Sequence, residues 1–386
     1  MKPLSLNERR LVELVVANPG LARVDLAKRS GMTGASITRL VAGLLELGVF
    51  SEKTDHKGES GQPKKILSVN AQRFFAAGVT FSLSEMDVAI IDFSGAIRDS
   101  KTVNILGLST EQIAEKTQEE IAAMRRTIQI DDDCFMGTGC SAPGNFGPAG
   151  TTIRAHQLFQ DFDDPKKVAA FGARIDGAFF LENDGSAAAL GEHVFGRQPD
   201  DGASLFLVHI GYGLGGGAVV DGKLFRGETG NACLPGVLFP YGAPRPTAQD
   251  LMSHLEASDA NISDINEISH KFDDLQDVIQ PWVTRAAEQL RHVVRVTTGF
   301  FDPSIIIIGG RLPMAINAAL VAEINATPLE GPSRGLTAAH VRSSTLGPKA
   351  GAVGAACIPL FQSFFGGSYW DTGSNYLNGR RTEAAG

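Results

Sequence analysis

Residues 205–225 read LFLVHIGYGLGGGAVVDGKLF. An apolar run meets a glycine-rich turn, a second apolar run follows, and Val220-Asp221-Gly222 closes the unit. That pattern predicts adjacent antiparallel strands. Residues 76–97, AAGVTFSLSEMDVAIIDFSGAI, have the same shape, with Asp92, Ser94 and Gly95 at the close. The echo of AIIDFSGAI in GAVVDGKLF predicts an internal duplication. Each strand group leads to helical stretches, STEQIAEKTQEEIAAMRRTI at 109–128 and QPWVTRAAEQLRHVVRVTTGF at 280–300. The chain from about residue 73 onward therefore reads as two α/β lobes. The cleft between such lobes is where small ligands bind.

The totals agree with this outline. At 386 residues the chain is too long for one ordinary core. Its 43% apolar and 20% charged residues are typical of globular domains. No apolar run approaches the roughly 18 residues of a membrane span. The opening MKPLSLNERRLVEL lacks a signal-peptide core, which predicts a cytoplasmic protein. Cys134, Cys140, Cys233 and Cys357 read as reduced, packed thiols. The net charge of −8 is uneven. Residues 1–70 carry 11 Lys and Arg against 7 Asp and Glu, and the remainder 24 against 36. Only the basic head is expected to meet a polyanion.

The head itself is patterned. Leu6, Leu11, Leu14 and Val15 fall at helical intervals before Pro19-Gly20. RVDLAKRSGMTGASITRLVAGLLELGVF, at 23–50, reads as a helix, a tight turn at Gly31, and a second helix capped by Thr33. Ile37, Leu40, Leu44 and Leu47 mark its inner face. Ala35, Thr38, Arg39 and Ala42 lie opposite, with Ser36 to one side. Such a small, polar, basic face suits a DNA major groove. Residues 49–70 read as two strands around a polar tip, a wing with Lys64 and Lys65 placed for phosphates. The stretch resembles the winged helix of the MarR type. A small helical docking module is the bland alternative.

At 179–193 stands FFLENDGSAAALGEH. A buried strand runs into Glu182-Asn183-Asp184 and then a small-residue helix. Asp184 is open to three readings: catalytic base, ligand contact or helix cap.

Six segments carry a family resemblance: SAPGNFGPAGTTI (141–153), LENDGSAAALGEH (181–193), HIGYGLGGGAVVDGKL (209–224), RGETGN (226–231), FDPSIIIIGG (301–310) and AGAVGAA (350–356). In this order the chain resembles the ROK family (repressor, open reading frame, kinase). The resemblance implies a two-lobed actin/hexokinase-like fold, a duplicated ribonuclease H-like body behind an N-terminal winged helix-turn-helix. The expected division is 1–72 for the DNA-binding domain and 73–386 for the ROK domain. Its lobes would span about 73–195, with a C-terminal helix at 350–365, and 196–349. The winged head places the chain in the regulator branch.

The resemblance also assigns roles. Asp184 matches the family's catalytic base and Asn183 its sugar-contacting partner. Glu228 matches a sugar ligand, and Asp250 stands where a family Glu faces the sugar. Pro143-Gly144 match the loop under the sugar, Gln157 a nearby Asn, and Asn231 a family His. The glycines at 211, 213, 215, 216 and 217 match the second phosphate loop, or simply form a hairpin. The first phosphate loop is broken, because Thr80 replaces an Asp and Ser82 and Leu83 replace two Gly. The family's zinc set of one His and three Cys is replaced by Asn231, Tyr241, Ala243 and Ala248, which predicts no zinc and no cofactor. The expectation is a DNA-binding transcriptional regulator, a repressor, that senses a carbohydrate-like effector without phosphorylating it. Partners would be double-stranded operator DNA, the effector, and further copies in a homodimer or homotetramer, with no membrane. The alternative is a ROK sugar kinase that also binds DNA. For the head, Ser36, Thr38 and Arg39 are the expected base contacts, and Gln62, Lys64 and Lys65 the wing contacts. The tail from about residue 364 carries no readable motif, and its end is expected to be disordered.

Overall fold

The computed structural model describes residues 3–55, 64–82, 84–147, 152–155, 161–196, 204–240, 242–329 and 339–365. Gln62, Leu83, Gln157, Tyr241 and the tail beyond residue 365 lie outside them. The head comprises α1 (Leu6–Ala17), β1 (Leu21–Ala22), α2 (Arg23–Ser30), α3 (Gly34–Glu46), β2 (Phe50–Asp55) and β3 (Lys64–Val69). Its small sheet has the order β1-β3-β2, antiparallel throughout. Ser5 and Glu8 form a reciprocal capping box that starts α1. Gly31 ends α2 at φ +72°, a left-handed cap suited to glycine. Thr33 caps α3 by accepting the Ser36 N–H at 3.3 Å.

Two expected inner positions are corrected. Leu6 is 74% exposed, while Val12 joins Leu11 and Val15 inside. Five residues separate Leu6 from Leu11, about 140° around a helix, which turns Leu6 outward. In α3 the buried stripe is Ile37, Val41 and Leu44. Leu47 stands past the last helical residue and is exposed. The two-residue strand β1 was not foreseen.

The body follows as β4 (Phe75–Phe81), β5 (Glu85–Asp92), β6 (Ile97–Asn104), α4 (Thr110–Ile128), β7 (Phe135–Ala142), β8 (Gly144–Phe146), β9 (Ile153–Ala155), α5 (Pro165–Gly172), β10 (Phe179–Asn183) and α6 (Asp184–Phe195). Next come β11 (Leu205–Ile210), β12 (Leu214–Val220), β13 (Lys223–Phe225), α7 (Ala248–Ala257), α8 (Ile268–Lys271), α9 (Gln276–Phe301), β14 (Ile305–Gly310), α10 (Met314–Asn325), β15 (His340–Ser343) and α11 (Ala350–Phe364). The first sheet has the order β10-β7-β4-β5-β6 and the second β15-β14-β11-β12-β13. In each, three antiparallel strands come first in the chain and two parallel strands extend the far side. The orders coincide, so the duplication read from the strand echo is present in the topology.

Helices α6 and α11 pack on each other between the sheets, α11 on β4 and β7 and α6 on β11 and β12. Nearly every residue of both is buried, which accounts for their small apolar composition. Their crossing is tight. A Cβ at Gly354 would lie 2.2 Å from the Ala187 carbonyl oxygen. The head joins this core. Leu11, Val12, Val15 and Leu44 belong to one apolar cluster with Phe74, Ala187, Leu190, Val353 and Phe361. The Arg9 guanidinium donates to the carbonyls of Gln362 (3.0 Å) and Phe365 (2.9 Å), at the end of α11. No helix of the described residues is long and apolar enough to cross a membrane.

Replacing Gly354 by Val is expected to remove more than about 3 kcal/mol of stability, because backbone on both sides must move. Gly299→Ala, on the exposed side of α9 with nothing within 4 Å of the new methyl, is expected to add about 0.5–1 kcal/mol. Thermal melting of the two variants checks the contrast.

Candidate functional site

Strand β10 is buried at all five residues and delivers its last two side chains to the edge of the first sheet. There the cap question is answered. Asn183 has extended backbone and accepts the Ser186 N–H at 3.1 Å, so it is Asn183, not Asp184, that caps α6. Its amide nitrogen donates to the Gly144 carbonyl at 2.6 Å. Asp184 is the first helical residue. One carboxylate oxygen accepts the Gly185 N–H at 2.8 Å. The other lies 3.6 Å from Nε2 of His209, which projects from β11 of the opposite sheet.

His209 is 4% exposed, and neither ring nitrogen has a hydrogen-bond partner among the described residues. Burial holds its pKa below the usual imidazole range. The Asp184 charge opposes that shift, and the Arg311 charge reinforces it. The ring is therefore neutral at neutral pH. The sequence signal was a lone polar residue within the apolar run LFLVHI, and it was passed over.

Around this pair the loops are tied down. Glu182 is fully buried, accepts the Asn183 N–H at 2.8 Å and is ion-paired with Arg226, whose guanidinium lies over the Phe146 ring. Asn231 accepts the Phe146 N–H at 2.6 Å and donates to its carbonyl at 2.9 Å. The expected sugar contact Asn231 is thus a clamp that pins the 226–234 loop to β8. Gly144, beside Pro143 and at φ +144°, sits in the same hydrogen-bonded group. Glu228 is exposed on that loop. Asp250 is not free for a ligand: it accepts from Trp282 Nε1 at 2.7 Å and is ion-paired with Arg285, both on α9. Its place in the family pattern suggested the cleft, but a buried indole N–H needs an acceptor. Glu192 is also structural. It is fully buried and accepts the N–H groups of Thr345 (3.1 Å) and Leu346 (3.3 Å).

Of the glycine-rich turn, Gly216 and Gly217 serve packing. A Cβ on Gly217 would lie 2.7 Å from the Gly185 carbonyl, where α6 rides over β12. Among the thiols, Cys140, Cys233 and Cys357 are buried and unbonded to one another, and burial pushes Cys233 up to about 12.

The corner matching the family's first phosphate loop holds a surprise for the sequence reading. Thr80 does replace the carboxylate, but its antiparallel partner is Asp87. Asp87 accepts from Thr102 Oγ1 and from Lys349 Nζ, both at 2.6 Å, and Arg311 stands 3.5 Å away. Arg311 also reaches the Thr80 hydroxyl at 3.4 Å. A carboxylate is therefore present, already neutralised by two cations from the second sheet's side. Burial acts to raise the Asp87 pKa, yet the hydrogen bonds and charges of Lys349, Thr102 and Arg311 outweigh it and hold the carboxyl below its usual range.

On the head, Thr38 and Arg39 are exposed on α3, and Ser36 is half-buried. The Thr38 hydroxyl donates to the Gly34 carbonyl at 2.9 Å, and the Ser36 hydroxyl accepts from Thr33 at 3.0 Å. Arg39 has no ion-pair partner among the described residues. On the wing, Lys64 is exposed, whereas Lys65 pairs with Glu52 at 3.0 Å, an ion pair shared with Arg23.

Asp87→Asn is expected to lower stability by about 1–3 kcal/mol, since two cations lose their partner at a site that water partly screens. A depressed carboxyl contributes stability above the unfolded-state pKa, about 4, and loses it as pH falls through the lower folded value. Melting curves of wild type and Asp87→Asn are therefore expected to differ at pH 7 and to converge below about pH 4.

Comparisons with known proteins agree with this architecture. The ROK family pattern matches residues 77–236. The chain is 49% identical to the uncharacterized protein y4fQ of Sinorhizobium fredii, over 98% of this chain and 96% of that protein. It is 22% identical to the DNA-binding transcriptional dual regulator NagC of Escherichia coli, over 82% and 83% of the two chains. Among solved structures, a ROK family transcriptional regulator, homolog of the E. coli MLC protein, superposes with a TM-score of 0.61 at 19% identity, covering 92% of this chain and 96% of that one. A ROK family glucokinase from Streptomyces griseus covers 74% of this chain and 98% of its own, at TM-score 0.55 and 22% identity. These structural likenesses speak for the fold, which is the mixed α/β actin/hexokinase-like fold expected from the motifs. With its two duplicated sheets, its ordered motifs and a relative at 49% identity along almost its whole length, the chain belongs to the ROK family.

Proposed function

We propose that this protein is a DNA-binding transcriptional regulator, a repressor, whose interlobe cleft senses a carbohydrate-like effector without phosphorylating it. The observation that carries the reading is the continuity of the head with α6. Asp184 begins that buried helix, and α1 of the head packs against it. A ligand that binds one arrangement of the lobes better than another would thereby bias the position of the recognition helix. The solved ROK regulator covers 92% of this chain, more than the body alone can supply, whereas the glucokinase covers 74%, a share that fits the body alone.

The head reads DNA through Arg39, Thr38 and Ser36 on α3, with Lys64 and the wing tip on the backbone. Two copies would present two such helices to a palindromic site. In the cleft, Asn183 and Asp184 on the floor and Glu228 on the rim supply the hydroxyl-binding groups, while Asn231 and Asp250 hold the walls. The four positions of the family zinc set offer no soft ligand, so the Asn231 clamp does the fixing that a metal would otherwise do.

The kinase reading is less well supported. Phosphoryl transfer needs metal and phosphate held in line with the accepting hydroxyl. Here Asp87 is already saturated by Lys349, Thr102 and Arg311.

The test begins with selection of operator DNA by the purified full chain. Arg39→Ala is then expected to weaken the selected site by about 10- to 100-fold and to relax one base position. Lys64→Ala should reduce the slope of affinity against salt by about 1, with sequence preference kept. Unchanged operator affinity in Arg39→Ala would remove α3 from the recognition role. Incubation with ATP, magnesium and a sugar panel is expected to release no ADP above background. ADP release that disappears in Asp184→Asn would restore the kinase.

A further inference from the structure

Beyond the Asn183-Asp184 pair, one side chain in the cleft has no structural employment. His209 is 96% shielded, yet both ring nitrogens lack a partner among the described residues. Buried polar groups are almost always hydrogen-bonded, and an unsatisfied one calls for an explanation. The interior of β11 offers none. Its neighbours Leu207, Val208 and Ile210 are apolar and fully buried. The ring instead faces the one carboxylate of the floor that is not tied to a cation. Asp184 Oδ2 lies 3.6 Å from Nε2, too far for a good direct hydrogen bond. In this arrangement the ring nitrogens carry essentially no accessible surface, so a ligand oxygen reaches Nε2 only when the chain beside the pair shifts, and Gly211 and Gly215 are side-chain-free positions there. A Cβ at Gly211 would sit 3.7 Å from Nε2, and one at Gly215 4.0 Å from Asp184 Oδ1.

We propose that His209 is a specificity-determining ligand contact which, with Asp184, holds a single free hydroxyl of a neutral polyol. The hydroxyl oxygen sits about 2.8 Å from both atoms, at the apex of the triangle they define. It donates its proton to Asp184 Oδ2 and accepts one from Nε2–H. Neutral imidazole supplies that one donor, and ionised carboxylate supplies only acceptors, so the pair reads a group that is donor and acceptor at once. A phosphate monoester at the same position has no proton to give the carboxylate at neutral pH and brings a like charge against it. Arg311, whose charge reaches His209, does not offset this, since it is engaged with Asp87 and Thr80. The site therefore selects the unphosphorylated form of its ligand.

This inference rests on the effector reading above and refines it. The test is calorimetric titration of the full chain with D-glucose, D-mannose, D-xylose, N-acetyl-D-glucosamine and myo-inositol, each hexose also as its 6-phosphate. At least one neutral compound is expected to bind, and its phosphate at least tenfold more weakly. His209→Phe, which keeps the bulk and removes the donor, should lose at least tenfold in affinity. His209→Gln, whose amide nitrogen can reach the Nε2 position, should stay within a few-fold of wild type. Cooperative melting of each variant reports that it is folded. A hit bound equally by wild type and His209→Phe overturns the His209 assignment and leaves the effector reading standing. A 6-phosphate preferred over its free sugar overturns the neutral-polyol class, whether or not the variants fold. No binding by any compound overturns both the inference and the effector reading beneath it.

Discussion

The close crossing of α6 and α11 between two sheets is the constraint on which the rest of the molecule depends. Each helix packs on a different sheet, and each needs small residues where it meets the other. Gly354 against Ala187, and Gly217 against Gly185, are contacts between backbones. Dispersion at that range is dense. Because the helices are buried on all sides, their ends are the only parts that reach an edge. The N-terminus of α6 reaches the cleft at Asp184, and the C-terminus of α11 reaches the head, where Arg9 covers its last carbonyls.

Polar groups at the cleft divide into those that hold the site and those left open to it. Glu182, Asn231, Asp250 and Glu192 are all consumed by protein partners, Glu182 and Asp250 by cations and Asn231 and Glu192 by backbone amides. Asp184 and His209 face each other without a mutual hydrogen bond. Residue type alone could not separate these groups. An aspartate on α7 and an aspartate at the start of α6 look alike in a sequence, and only the Trp282 indole opposite Asp250 tells them apart.

Much of the architecture was legible because it repeats. The echo between residues 89–97 and 217–225 gave two lobes, and the coincident strand orders are its three-dimensional form. The head was legible through its turn chemistry: Gly31, Thr33 and the helical spacing of Ile37 and Leu44 place α2 and α3 closely. What escaped were properties set by partners distant in the chain. Asp87 lies in a strand that reads as ordinary alternation, and nothing local announces Lys349, 262 residues away, or Arg311. Leu6 and Leu47 were misplaced for a simpler reason. Leu6 lies about 140° around the helix from Leu11, and Leu47 stands past the last helical residue, so neither meets the core.

The shared core of head and body bears on how such proteins can be recombined. The boundary near residue 72 is a change of fold, but the apolar cluster passes through it from Leu11 and Val15 to Phe74 and Phe361. Phe74 itself packs against Phe93 and Phe364, with ring centroids 5.6 and 4.5 Å away. A head severed at this line would carry an uncovered greasy flank, and the body would keep the matching hollow. The head is thus less a detachable module than one wall of the body. Exchanging heads between such proteins would mean exchanging the surface of α6 and the end of α11 along with them.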